Sequence, residues 1–306
     1  MNLVIIVLLI ILIWMFYRSD KLEFVENKGD IPYSLKHDLQ NYHIGLHKKE
    51  VIFKTSNKFN LLNNSLSLTD FYIKHFLPFT SLEKKTIKLY VGYINSKSLK
   101  YPCISSTQWR FIKFSNILEK NMPFTLGQYI FLPEMFLNKM DKNINSSNFL
   151  KNCTTLLHEK IHIIQRNHQY EFNKLYPDVF SCQHIKNLKL NNYWKSKHMS
   201  NPDGLDINWI YQFNNSYYLP ILTFNLEKRS IKTSIGVKLK KTKKRFYTLN
   251  SYIKLKDIDQ LKDYPKNISL YHPNEIMACV LADIILKNIF PKNKKINKLI
   301  NFVKKI

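Results

Sequence analysis

Glycine, cysteine and arginine are all scarce in this chain, and each shortage excludes something. Six Gly and 11 Pro in 306 residues exclude collagen-like repeats and Gly/Pro-rich low complexity. Four cysteines (Cys103, Cys153, Cys182 and Cys279) without C-x-x-C spacing exclude a disulfide-built scaffold and read as reduced core thiols. Arginine occurs only at Arg18, Arg110, Arg166, Arg229 and Arg245, so lysine supplies most of the net charge of +25. Such a charge alone suggests nucleic acid or an anionic membrane surface. Arginine, however, is the side chain that recognises phosphate bidentately. The lysine excess also accompanies abundant Asn, Ile, Tyr and Phe, all residues with A/T-rich codons. Net charge is therefore a poor argument for a nucleic-acid partner. What remains, 45% hydrophobic and 23% charged residues, is an ordinary globular composition with chain enough for a real core.

The longest apolar run is Leu3 to Tyr17, with Trp14 and Tyr17 where interfacial aromatics belong. Fifteen residues at ~1.5 Å each cover ~22 Å, so the flank must help to span a ~30 Å hydrocarbon layer. No basic n-region precedes the run and no A-x-A-like cleavage site follows it, so residues 1–19 read as a retained single-pass anchor. Arg18, Lys21 and Lys28 follow, which by the positive-inside rule leaves the body on the cytoplasmic side of the membrane. Five N-x-S/T triplets point the other way, but an Asn-rich chain produces them by chance.

Residues 20–85 carry no interpretable motif and would cover a cleft or brace the fold. Thr86–Tyr93 alternates like a strand, with Ile87, Leu89 and Val91 on one face. A helix is expected around Trp109–Glu119, and a Gly-interrupted strand over Met122–Leu132. Ser146 and Ser147 are N-cap candidates for a long helix reaching Asn167, and 205–226 reads as a hairpin around Asn214-Asn215-Ser216. Asn201-Pro-Asp-Gly204 is a turn signature that accounts for Asp203. Lys238–Arg245 reads as a solvated basic loop, and Pro273 opens a final long helix to Lys287. Helices and strands interleave without βαβ alternation, which predicts an α+β fold.

On the helix ending at Asn167 lies His158-Glu159-Lys-Ile-His162, an H-E-x-x-H motif. Four residues turn a helix through ~400°, so the two imidazoles stand ~40° apart on one face, one turn above the other. So placed, they can hold one zinc ion. Glu159 is turned ~100° from His158, where it can reach a zinc-polarised water instead of the metal and act as general base. The opposite face (Cys153, Leu156, Leu157, Ile161, Ile164) would anchor the helix in the core.

With this motif the sequence resembles the zincin metallopeptidases over residues 85–290, and the catalytic domain would occupy 86–306. The resemblance implies a zinc-dependent peptidase whose active-site helix lies beneath a mixed sheet. A third zinc ligand is needed. Glu275, in His272-Pro-Asn-Glu275-Ile-Met-Ala278, stands 113 residues after His162 and resembles the gluzincin arrangement, in which a Glu on a later helix completes the site. Where some gluzincins place an acidic residue four positions on, this chain has Cys279, leaving Asp283 as a substitute partner for a zinc-bound His. The alternative ligand is His168, at metzincin spacing, but the glycine that pattern needs is here Gln165. Gly127, Gln128, Tyr129 and Ile130 fall where zincins place the edge strand that pairs with a peptide substrate; an ordinary core strand is the other reading. Tyr271, His272 and Tyr211 are eligible transition-state donors.

The expected function is thus a membrane-anchored zinc metallopeptidase acting on a peptide or protein. A zinc hydrolase of non-peptide amides shares the motif. The non-enzymatic alternative is a catalytically silent zincin-like protein that binds anionic lipid or nucleic acid through Lys238–Arg245 and the Lys292–Lys305 tail. An intact Glu159 argues against it.

Overall fold

The computed structural model describes residues 22–59, 67–204, 206–228, 230–243, 245–264 and 268–306. Its first sheet is built from β1 (Leu22–Phe24), β2 (Phe76–Leu77), β3 (Trp109–Phe114), β4 (Phe124–Leu126) and β5 (Tyr129–Pro133). The order is β1-β3-β5-β4, with β2 paired to β3 on the side of β1. Strands β1, β3 and β5 run parallel, and β2 and β4 run antiparallel to their neighbours. Side chains alternate across the pleat, so Trp109, Phe111, Ile130 and Leu132 enter one core while Ile112, Phe114 and Phe131 enter another. Both faces are buried, which is why these strands read as nearly unbroken apolar runs.

Helices α1 (Tyr33–Ile44), α2 (Lys48–Lys54) and α3 (Leu68–Lys74) cover the second face with Leu35, Leu39, Val51 and Phe71. The first face receives α4 (Ser81–Lys97). After the short α5 (Pro102–Ser106) and α6 (Glu134–Asn138), it also receives the long α7 (Ser147–Asn167). Ser146 caps α7 by accepting the Phe149 N–H at 3.0 Å, and Leu156, Leu157, Ile161 and Ile164 form its buried stripe.

Helix α8 (Gln169–Phe180) leads into a second sheet, and the short α9 (Asn192–Lys195) lies beside that sheet. Its strands are β6 (Cys182–His184), β7 (Leu188–Lys189), β8 (Trp209–Phe213), β9 (Ser216–Asn225), β10 (Ser230–Lys241) and β11 (Phe246–Lys254). The order is β6-β8-β9-β10-β11-β7, so β6 and β7 lie on opposite edges although only three residues separate them in sequence. A four-residue step spans at most ~14 Å, so the sheet must curl until its edges approach. The curl encloses Trp194, Ile210, Leu219, Ile221 and Val237. Helix α10 (Pro273–Lys287) then returns to pack on α7, and α11 (Ile296–Val303) closes the main core with Ile296, Leu299, Ile300 and Val303.

Four expectations need correction. Thr86–Tyr93 is helical and lies within α4. A capping box between Thr80 and Glu83 starts that helix, and Ile87, Tyr90, Val91 and Ile94 face the core at helical spacing. Leu89, assigned to a strand face, is 41% exposed. Trp109–Phe114 is strand rather than helix, because pairing with β1 and β5 suits its aromatic and β-branched residues. Met122–Leu132 is a hairpin: Gly127, at φ +55°, turns β4 into β5, and a Cβ there would collide with Asp38 Oδ2. Lys238–Lys241 forms the end of β10 rather than a loop.

The long helix from Ser147, the hairpin around Asn214-Asn215 and the helix opened by Pro273 are present as expected. The Leu3–Tyr17 segment lies outside the described residues, and among the described residues no helix is long and apolar enough to cross a membrane.

Candidate metal centre

Helix α7 stacks His158 and His162 one turn apart, and the first turn of α10 brings Glu275 to them. His158 Nε2 and His162 Nε2 are 2.9 Å apart, and the Glu275 carboxylate lies 3.5 Å from the first and 3.4 Å from the second. The three side chains could hold a metal ion.

The neighbouring groups decide which way the rings point. Gln165, one turn beyond His162, donates its Nε2 to the Asn274 carbonyl at 2.9 Å. Its Oε1 therefore faces His162 Nδ1 at 2.7 Å, and that nitrogen must carry the proton. In the neutral ring the lone pair is then left on Nε2, aimed at the cluster. On His158 the matching place is taken by Cys279 Sγ, 3.5 Å from Nδ1. Asp283 does not serve as the substitute partner, because it pairs with Lys287 at 2.7 Å.

Burial opposes a charge on His158, yet Cys279 and Glu275 outweigh it and raise the pKa well above the usual imidazole range. Burial likewise opposes the cation on His162, where Asp203 and Glu275 prevail and the pKa rises. For Glu275 burial pushes upward, but His162 and His158 hold the carboxyl well below its ordinary value. Glu159 goes the other way. Burial and then Asp203 raise it to about 7, against the pull of both histidines and the Thr125 hydrogen bond. The Thr125 hydroxyl on β4 donates to Glu159 Oε2 at 2.6 Å.

His158, Glu159, Asp203 and Glu275 line a cleft of about 220 Å³. Its apolar lining is Met122, Phe124 and Met199, with Leu222 and Ile231 from the curled sheet. At one end stand Tyr271 and Asn201, whose Nδ2 donates to the Tyr271 hydroxyl and to Glu275 Oε1 at 3.0 Å. Burial first, and Glu275 second, raise the Tyr271 pKa well above its usual value, so the phenol stays protonated. Lys54 and Glu119, a buried pair at 2.6 Å, also line the cleft.

Asp203 does far more than make a turn. Its carboxylate is 6% exposed for the residue as a whole and accepts from Arg166 Nη2 at 2.6 Å and from the Thr125 N–H at 3.4 Å. Arg166 also donates to the carbonyls of Thr125 at 2.8 Å and Gly127 at 3.3 Å.

Several expected residues sit elsewhere. The segment Gly127, Gln128, Tyr129, Ile130 is not an edge: β5 is paired on both sides, by β3 and β4. The edge strand is β4, and at Thr125 its outward N–H and C=O are already taken by Asp203 and Arg166. His168 ends α7 and joins it to α8, and its imidazole is not in the cluster. Tyr211 is fully buried in β8 opposite Cys182, outside the cleft lining. His272 is spent as the N-cap of α10, with Nδ1 accepting from Asn274 N at 3.1 Å and Nε2 donating to the Asp206 carbonyl at 3.0 Å. Burial pushes its pKa down to about 4, so it is neutral. Thr125, Gln165 and Asn201 carried no signal of their own in the sequence.

No family model, curated protein or solved structure matches this chain.

Proposed function

We propose that the chain is a zinc-dependent metallopeptidase with a zincin-like body, held at a membrane by Leu3–Tyr17 with the body on the cytoplasmic side. The observation that supports this most is the company Glu159 keeps. A carboxylic acid raised to about 7 lines one cleft with His158 and Glu275, two of the three members of the two-histidine, one-carboxylate cluster. A general base is most effective with a pKa near the working pH.

The donor set suits zinc. Tetrahedral bonds of ~2.0–2.1 Å place ligand atoms ~3.3 Å apart; the imidazole nitrogens are 2.9 Å apart, with Glu275 Oε2 3.5 Å from His158 and Glu275 Oε1 3.4 Å from His162. Three protein ligands leave a position for water, as in catalytic rather than structural sites. Zinc held by His158, His162 and Glu275 would supply Lewis-acid polarisation of a water molecule and of the scissile carbonyl.

The remaining work falls to the chain itself. Glu159, fixed through Oε2 by Thr125, takes a proton as the water oxygen bonds to the carbonyl carbon. Tyr271 donates its O–H to the oxyanion that develops. Glu159 then returns the proton to the amine nitrogen as the C–N bond breaks. The apolar walls accept a side chain of the substrate and exclude water.

Incubation of the zinc-loaded chain, in detergent, with a peptide library tests the proposal. Cleavage by the wild type, with a loss of about 10³-fold or more in Glu159→Gln at unchanged zinc content, is expected from removing the general base. Wild-type turnover in Glu159→Gln would contradict it, and cleavage of simple amides but not peptides would reassign the substrate.

A further inference from the structure

Residues 22–59 present no motif, yet they deliver one buried carboxylate to the edge of the metal centre. Glu50, on α2, is 1% exposed. Its Oε1 accepts the Ser200 N–H at 2.6 Å and its Oε2 accepts the Ser200 hydroxyl at 3.2 Å. One carboxylate thus grips both the backbone and the side chain of one residue. The next residue is Asn201. Its Oδ1 accepts the Asp203 N–H at 3.1 Å, and its Nδ2 donates to Tyr271 and to Glu275 Oε1.

We propose that Glu50 is a positioning residue of the metal centre, acting through Ser200 and Asn201 to orient the Glu275 carboxylate and the Tyr271 hydroxyl. The inference rests on the metallopeptidase reading for its catalytic consequence. The planar amide of Asn201 has its two donors in fixed directions, so the place of the 200–201 backbone sets where both hydrogen bonds end. That backbone is held on one side by the Met199 N–H bond to the Leu222 carbonyl at 2.9 Å, and on the other by Glu50. A charge balance for Lys54 does not explain the carboxylate. Lys54 Nζ is 2.6 Å from Glu119 but 3.9 Å from Glu50, while both oxygens of Glu50 are engaged by Ser200. Burial raises Glu50 to about 7 even against Lys54, so a neutral glutamine is a close mimic of it near neutral pH.

The test compares the full chain with Glu50→Ala, Glu50→Gln, Asn201→Ala and the Glu50→Ala/Asn201→Ala double variant, using two readouts. One is the visible spectrum of the cobalt(II)-substituted protein, which reports the Glu275 ligand without any turnover; the other is kcat and KM for peptide cleavage. Glu50→Ala is expected to shift the cobalt bands, weaken zinc by about 10-fold or more in chelator competition, and lower kcat about 10-fold with KM within about twofold. Glu50→Gln restores both readouts, and the double variant loses no more than the worse single one.

Wild-type cobalt bands and kcat in folded Glu50→Ala, or additive losses in the double variant, overturn the proposal. If Glu50→Ala does not fold, Glu50→Asp, which keeps the carboxyl group but retracts it from Ser200, carries the same comparison. A wild type that binds cobalt but cleaves nothing refutes the peptidase reading alone, and the spectra still decide the role of Glu50. A folded wild type that takes up no cobalt overturns both.

Discussion

Thr125 Oγ1 lies 2.6 Å from Glu159 Oε2, which ties the outermost strand of the first sheet to the carboxylate beside the candidate metal cluster. The bond favours the charged form of Glu159 and holds down a pKa that burial raises. Thr125→Val is therefore expected to move the acid limb of kcat/KM upward by about one pH unit, the size of one hydrogen bond to a charged group. Thr125→Ser should leave the limb in place. A pH profile unchanged in the Val variant would remove the proposed role of this contact.

Gln165 orients His162 and Cys279 lies against His158. Gln165→Leu should weaken zinc by roughly 10–100-fold in chelator competition, because the imidazole loses the partner that fixes its tautomer. Cys279→Ala should cost less, since a thiol is a weak hydrogen-bonding group. Equal affinities across the three proteins would contradict this account of the ring orientations.

The Lys54–Glu119 pair is buried, and Glu119 also accepts from Tyr42 at 3.0 Å and Tyr72 at 2.7 Å. Removing one partner strands the other, so Lys54→Met should cost about 3–5 kcal/mol in urea unfolding. Adding Glu119→Gln to that variant should recover part of the loss. A Lys54→Met protein as stable as wild type would show that the pair is relaxed by water or by a shift of α2.

His43 is 8% exposed, and burial, helped by Lys54, pushes its pKa from the usual 6.5 down to about 3. The unfolded chain takes up this proton near pH 6.5 and the folded chain only near pH 3. The stability held by the neutral ring is complete above pH 6.5 and drains as the pH falls through that window, at about 1.4 kcal/mol per pH unit. Denaturant curves between pH 6 and 4 should be steeper in pH for wild type than for His43→Gln by that amount. Parallel slopes would contradict the burial of a neutral His43.

The parts of the site legible in the sequence are those whose geometry is local. Four-residue spacing on one helix brings His158 and His162 together, and the Pro273 helix start marks the turn that carries Glu275. Thr125, Asn201 and Asp203 were hidden because their roles arise only when a sheet edge and a loop close over the helix. In Asn201-Pro-Asp-Gly204 the turn explanation was true but incomplete, since the same Asp203 also binds Arg166. The mistaken strand at Thr86–Tyr93 came from apolar residues two apart, a spacing that a helix also permits when Tyr90 and Ile94 are counted with them. The supposed edge at Gly127–Ile130 became interior because Gly127 folds β4 back along it. Pairing partners of that kind are set by tertiary contact.

The proposed chemistry requires that His158, His162 and Glu275 bind one catalytic zinc. Elemental mass spectrometry of the purified full chain after exhaustive dialysis measures this, with Glu275→Ala alongside. Close to one zinc per chain is expected in the wild type, with a clear deficit in Glu275→Ala. A folded wild type that holds no zinc, even after challenge with added metal, would contradict it.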